Sequence, residues 1–180
     1  MPGIPHFGDG ICLFPLIFDE DFLDSLFTVA KNKINKIKGS KRDDELIGTS
    51  RNDYAIGKGG DDVITTFEGN DKIKGGAGDD IITSGTGKDK AWGGKGNDIF
   101  VTENGSINNP KEGYVKIMDF EIGDKIEFCG CASATLEQRG KNVWLIKGDD
   151  IKAVVKGFDV EDLEIDYGRK MITFVADPLA

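Results

Sequence analysis

Aspartate returns on a fixed beat through the middle of the chain. Asp44, Asp53, Asp62, Asp71, Asp80, Asp89 and Asp98 stand nine residues apart with no insertion between them. Each closes a hexapeptide, and most of these are glycine-rich, as in GKGGDD (57–62), GGAGDD (75–80) and GGKGND (93–98). A carboxylate beside a run of bare backbone is a set of hard oxygen donors. Ca2+ takes roughly six to eight such oxygens in forgiving geometry. Mg2+ holds its waters and demands an octahedron, and Zn2+ prefers nitrogen and sulfur ligands, which this segment lacks. The spacing points to bound Ca2+, with several ions, roughly two or three at the least.

The elements that must position these carboxylates follow from the same period. Seven nonapeptides run without a break from GSKRDDELI (39–47) to GGKGNDIFV (93–101). Position eight is apolar in every unit: Leu46, Ala55, Ile64, Ile73, Ile82, Ala91 and Phe100. Positions one to six read as a tight turn, where glycine tolerates positive φ and close backbone approach. Positions seven to nine read as a short strand whose middle residue faces one way and its neighbours the other. So short a strand buries one side chain, and only stacked copies complete a core. Two units per coil give two parallel sheets, with unit i about 4.8 Å from unit i+2. A decayed unit precedes them at 30–38, with Asn35 at the aspartate place and Ile37 at the apolar one.

Stacking brings each aspartate into register with the turn carbonyls of the next coil. The candidate ligands are therefore the seven aspartates and the turn glycines Gly57, Gly59, Gly60, Gly69, Gly75, Gly76, Gly78, Gly85, Gly87, Gly93, Gly94 and Gly96. On one edge the pairs are Asp44/Asp62, Asp62/Asp80 and Asp80/Asp98; on the other they are Asp53/Asp71 and Asp71/Asp89. Asp62/Asp80 and Asp80/Asp98 should bind best, because their turns keep the most glycine. Asp71/Asp89 follows, weakened by Lys88. The pairs using the turns of Arg42 and Arg51 should be weakest, since a cationic side chain replaces the position-four glycine.

These units resemble the nonapeptide G-G-x-G-x-D-x-U-x of RTX (hemolysin-type) calcium-binding proteins. The resemblance covers residues 39–101 of the 180. It implies an all-β fold, a right-handed parallel β-roll (a nonapeptide solenoid) with Ca2+ in the turns. It also implies type I secretion guided by an uncleaved C-terminal signal. Thr66 and Ser84 depart from the pattern at position one, as Arg42 and Arg51 do at position four.

Three regions are expected. Residues 1–38 hold a short helical cap over about 19–31 (DEDFLDSLFTVAK), with one apolar face and an acidic start, followed by the decayed repeat. Residues 39–101 form the calcium-binding roll. Residues 102–180 alternate apolar and polar positions from YVKIMDF (114–120) to KMITFV (170–175) and should form an antiparallel β-strand cap. By the resemblance they also contain the secretion region. On the roll, Ile47, Val63, Ile81, Ile99 and Val101 face out from one sheet and should be covered by other parts of the chain. Tyr54, Lys72, Lys74, Lys90 and Trp92 face out from the other and should meet water.

The formal charge is −9, from 32 acidic and 23 basic side chains, which argues against a nucleic-acid partner. No apolar run is long enough for a transmembrane helix, and the N-terminus lacks the basic start of a secretory signal. Cys12, Cys129 and Cys131 are odd in number, and Cys129-Gly-Cys131 is too tight for an easy disulfide, so all three read as free thiols. The only histidine is His6, and no H-E-x-x-H, G-x-S-x-G or P-loop string occurs. The reading is a non-enzymatic, secreted, calcium-binding protein that folds on Ca2+ outside the cell, with the type I export machinery as a partner. One alternative is an accessory carbohydrate-binding or adhesin module that meets extracellular polysaccharide or a cell-surface component. Another is a small extracellular enzyme.

Overall fold

The computed structural model describes residues 34–102, 113–128, 134–148 and 150–175. The helix expected at 19–31, the three cysteines and the last five residues lie outside them. The described residues are all-β apart from one 3-10 turn at Val160–Asp162.

The nonapeptide run folds as alternating strands. β1 (Asn35–Lys38), β3 (Asp53–Ile56), β5 (Lys72–Ala77) and β7 (Gly87–Lys95) enter one sheet. β2 (Glu45–Ile47), β4 (Val63–Thr65), β6 (Ile81–Thr83) and β8 (Ile99–Thr102) enter the other. Each strand pairs in parallel with the one eighteen residues later: Tyr54 with Lys72, Leu46 with Ile64, Ile64 with Ile82, and Ile82 with Phe100. Ile37 takes its place opposite Ala55, so the decayed unit contributes β1.

Parallel pairing continues past Val101. β9 (Gly113–Ile117) lies on β7 with Lys90 opposite Lys116, and β10 (Lys125–Phe128) lies on β8 with Phe100 opposite Ile126. The step is now 26 residues, so the segment after β8 adds eight residues to one coil without ending the stack. Beyond it the expected antiparallel cap is mixed: one more parallel pair forms, with Val115 opposite Ala153, and the remaining pairs, Ile126 opposite Ile172 among them, are antiparallel. β11 (Ala134–Arg139), β12 (Asn142–Lys147) and β13 (Asp150–Lys156) extend the first sheet, and β14 (Leu163–Asp166) and β15 (Met171–Phe174) extend the second. The β11–β12 hairpin turns on Gly140, at φ 66°.

Position-eight side chains form the core: Ala55, Ile64, Ile73 and Ala91 are fully buried, and Ile82 and Phe100 nearly so. Where the repeat ends, aromatics take over. Phe120 stacks on Phe174 with centroids 5.2 Å apart and meets Phe100 at 6.2 Å and Phe158 at 6.2 Å. This cluster closes the last coil.

One expectation fails. Ile99 and Val101 are half-buried, but Ile47, Val63 and Ile81 are not covered and stay 60%, 43% and 38% exposed. β2, β4 and β6 are three-residue strands whose outward side chains meet none of the extensions, because β14 and β15 join this sheet beyond β10.

Candidate metal centre

Glycine at position four shapes each of the last five turns. Gly78 sits at φ 130° and Gly96 at φ 130°. A Cβ on Gly78 would fall 2.2 Å from the Gly60 carbonyl oxygen, and one on Gly96 would fall 2.2 Å from that of Gly78. Only glycine lets successive turns stack this closely.

Stacked turns put the aspartates in two ladders. The N–H groups of Asp44, Asp62 and Asp80 donate to Oδ1 of Asp62, Asp80 and Asp98 at 2.8, 2.9 and 3.0 Å. On the other edge Asp53 and Asp71 donate to Oδ1 of Asp71 and Asp89 at 2.7 and 2.8 Å. The structure thus brings all seven predicted aspartates into the turn pairs.

The second oxygens divide the ladder. Oδ2 of Asp62, Asp71, Asp80, Asp89 and Asp98 is buried and has no donor. The Thr66 hydroxyl, near Asp71, donates instead to the Ser84 carbonyl at 3.0 Å. Oδ2 of Asp44 and Asp53 is satisfied by the protein itself, through the N–H groups of Ser40 at 2.5 Å and Thr49 at 2.8 Å. An orphaned buried polar atom costs about 1–3 kcal/mol, more when charged. In the units of Asp62, Asp71 and Asp80, burying the position-eight isoleucine returns only about as much.

Burial, the largest cause, pushes these carboxyls upward: Asp71 and Asp80 to about 6, Asp89 and Asp98 to about 7, and Asp62 in the same direction. Asp44 is lowered, chiefly by its hydrogen bonds from Ser40.

On one edge the open oxygens of Asp62, Asp80 and Asp98 face space that the position-one glycines Gly57, Gly75 and Gly93 leave empty; on the other, Asp71 and Asp89 have Thr66 and Ser84 at that position. A Cβ on Gly57 would lie 2.1 Å from Asp62 Oδ2 and 2.5 Å from the Gly75 carbonyl oxygen. A Cβ on Gly75 would lie 2.1 Å from Asp80 Oδ2 and 2.7 Å from the Gly93 carbonyl oxygen. On the glycine-bearing edge carboxylate and carbonyl oxygens therefore converge where no side chain enters, and a hard divalent cation fits. Among the described residues no three Asp, Glu, His or Cys side chains cluster, so backbone carbonyls must complete any shell. The other candidate glycines, Gly59, Gly60, Gly69, Gly76, Gly78, Gly85, Gly87, Gly94 and Gly96, lie in the same stacked turns.

Two lysines behave differently. Lys58 holds a strained φ of 94° where later turns have Gly76 and Gly94, and its Nζ donates to the Gly39 carbonyl. An ammonium there satisfies the lowest carbonyl of that edge. Lys88, expected to weaken Asp89, is exposed, and its N–H donates to Asn70 Oδ1 at 2.9 Å.

Two sets of participants were not picked out from the sequence. Asp124 continues the ladder: its Oδ1 accepts from Asp98 N–H at 2.9 Å, and its Oδ2 from Glu121 N–H at 2.7 Å. Asp119 accepts from Gly93 N–H at 3.0 Å. Position five forms an outer ladder, with Asp61, Asp79 and Asn97 N–H donating to Asp43, Asp61 and Asp79 Oδ1, each at 2.8 Å. Position five is Asp or Asn in all units but that of Lys88, which was a readable signal.

The family model of the RTX calcium-binding nonapeptide repeat (4 copies) matches residues 38–73, 47–82 and 74–106. The chain carries RTX calcium-binding repeats. The matched span includes every open carboxylate. No curated protein matches it significantly. Among solved structures, the AlgE6R3 subunit of the Azotobacter vinelandii mannuronan C5-epimerase is 26% identical. That match covers 66% of this chain and 73% of the subunit, with a TM-score of 0.27. The roll itself is defined by its own strand registers.

Proposed function

We propose that this RTX roll is assembled by calcium: the chain stays largely unfolded where Ca2+ is scarce and folds where it is plentiful. The supporting observation is the row of five buried carboxylate oxygens with no donor. Deprotonated and unpaired, they oppose stacking; bound to an ion, they hold adjacent coils together. Ion binding and folding are then one equilibrium. Asp62, Asp71, Asp80, Asp89 and Asp98 supply the carboxylates, and turn carbonyls supply the remaining oxygens. Weak extracellular modules work at about 10⁻⁴–10⁻³ M Ca2+, which suits a chain exported unfolded by a type I system and folded outside. No helix among the described residues is long and apolar enough to cross a membrane. Its role is binding rather than catalysis.

Circular dichroism during Ca2+ titration, with Mg2+ as control, tests this. A cooperative gain of β signal with Ca2+ alone is expected. An unchanged sheet-rich spectrum after exhaustive chelation would overturn it.

A further inference from the structure

The second sheet turns an apolar face outward. Register sets its outward side chains in two columns. One runs Glu45, Val63, Ile81, Ile99, Lys125; the other runs Ile47, Thr65, Thr83, Val101, Glu127. Each column crosses five strands, roughly 19 Å at about 4.8 Å per strand. No ionisable side chain interrupts either column before its ends. Outward positions of the first sheet hold Lys72, Lys74 and Lys90, so the roll itself does not require hydrocarbon there. Contiguous exposed apolar surface marks an interaction site. The first column also ends in opposite charges. Glu45 and Lys125 are both exposed, and neither forms an ion pair with another described residue.

We infer that a second copy of this chain covers this face, in a symmetric dimer whose two-fold axis runs along β6. Such an axis turns each column end for end. Glu45 of each copy then meets Lys125 of the other, Val63 meets Ile99, and Ile81 meets its own equivalent. The interface is isologous, the commonest way for identical chains to associate. The two sheets pack with aligned strands, as in a sandwich. An axis along the roll would instead lay Val63 and Ile81 on Thr65 and Thr83 of the other copy, burying hydroxyls against hydrocarbon. β2, β4 and β6 are only three residues wide, so the interface is small and the dimer weak. It rests on the calcium-built roll, since only stacked coils form the columns. Bound Ca2+ also offsets part of the formal charge of −9 that would drive two copies apart.

The test is sedimentation equilibrium of the full chain at saturating Ca2+, up to about 1 mM protein, which detects a dimer held by only about 4 kcal/mol. A monomer–dimer equilibrium is expected. Glu45→Lys or Lys125→Glu alone should weaken it about tenfold or more, the size of a lost charge-assisted contact. The two changes together should restore it. Ile81→Lys sets like charges against each other on the axis and should abolish it. Circular dichroism and the bound-ion count of every variant should stay those of the parent. The proposal is overturned if the folded chain stays monomeric throughout, as it would were the face covered by another segment or a different partner. It is equally overturned if the double variant fails to recover, or if Ile81→Lys associates like the parent. Failure of the calcium reading shows separately, as a spectrum indifferent to chelation, whereas failure of this inference leaves a calcium-folded monomer or a dimer built through another face.

Discussion

Turns 39–44 and 75–80 lie on the same edge of the roll, two coils apart, and end in the same Asp-Asp pair. In the first, GSKRDD, the Ser40 hydroxyl accepts Arg42 N–H at 3.1 Å, and Ser40 N–H closes on Asp44 Oδ2. Thr49 and Arg51 repeat this arrangement on the other edge. In the second, GGAGDD, no hydroxyl organises the turn, and Asp80 Oδ2 is left without a donor. The two closed turns share a position-two hydroxyl that accepts the N–H of a position-four arginine, and a position-two N–H that donates to the carboxylate; the turns from 57 to 98 have neither the hydroxyl nor the arginine. The early turns are closed, and the turns from 57 to 98 are open.

The largest effect that would sharpen this contrast comes from the aspartates themselves. Asp80→Ala removes an open carboxylate and the acceptor of Asp62 N–H. At saturating Ca2+ it should cost about 3 kcal/mol or more, whereas Asp44→Ala, at a carboxylate already satisfied by its own turn, should cost far less. Denaturant titrations of both variants check this, and equal losses would erase the distinction between open and closed turns.

Gly75→Ala comes next. Its Cβ enters the space beside Asp80 Oδ2 without altering any carboxylate. It should raise the Ca2+ midpoint about tenfold and lower the bound-ion count by one, a loss of roughly 1–3 kcal/mol as in other overpacked sites. Ion counting by mass spectrometry reads the result.

Proton dependence should have opposite signs with and without the ion. In the ion-free roll Asp71 and Asp80 titrate near 6, and Asp89 and Asp98 near 7, against an ordinary 3.8. The roll therefore holds protons that the unfolded chain has released. That contribution is complete below pH 3.8 and disappears as pH rises through 6 to 7. Chelated protein should show more sheet at pH 5 than at pH 8. Because calcium needs the deprotonated carboxylate, its affinity should fall over the same interval on acidification.

The smallest effect is a gain. Ser40→Gly with Arg42→Gly should open the first turn and add up to one ion, while shifting stability by only about 1 kcal/mol. An unchanged count would show that something besides the hydroxyl keeps that turn closed.

Much of this was legible because the period is strict. Aspartate at position six and an apolar residue at position eight fixed which sheet each unit enters and which side chains it buries. The segments from YVKIMDF to KMITFV likewise correspond to β9–β15 within a few residues. Asp124 escaped because eight extra residues after β8 broke the phase, although the coil itself continues. The closed state of Asp44 and Asp53 was hidden in a hydroxyl–backbone bond, which no period reveals. The exposure of Ile47, Val63 and Ile81 was misjudged because outward apolar positions in a solenoid need not have a partner within the same sheet stack.

Alternation of units between two walls gives the chain a parity. Removing eighteen residues, such as 57–74, takes out one storey and leaves everything downstream on its original side. Removing nine transposes every later strand to the opposite wall. Only the strands flanking the cut would change neighbours: without residues 57–65, β5 would stack on β2 and β6 on β3, while β9 would stay on β7 and β10 on β8. Within the nonapeptide run, whole repeats can therefore be lost or gained only in pairs, whereas the eight residues added after β8 lengthen one coil without changing its wall.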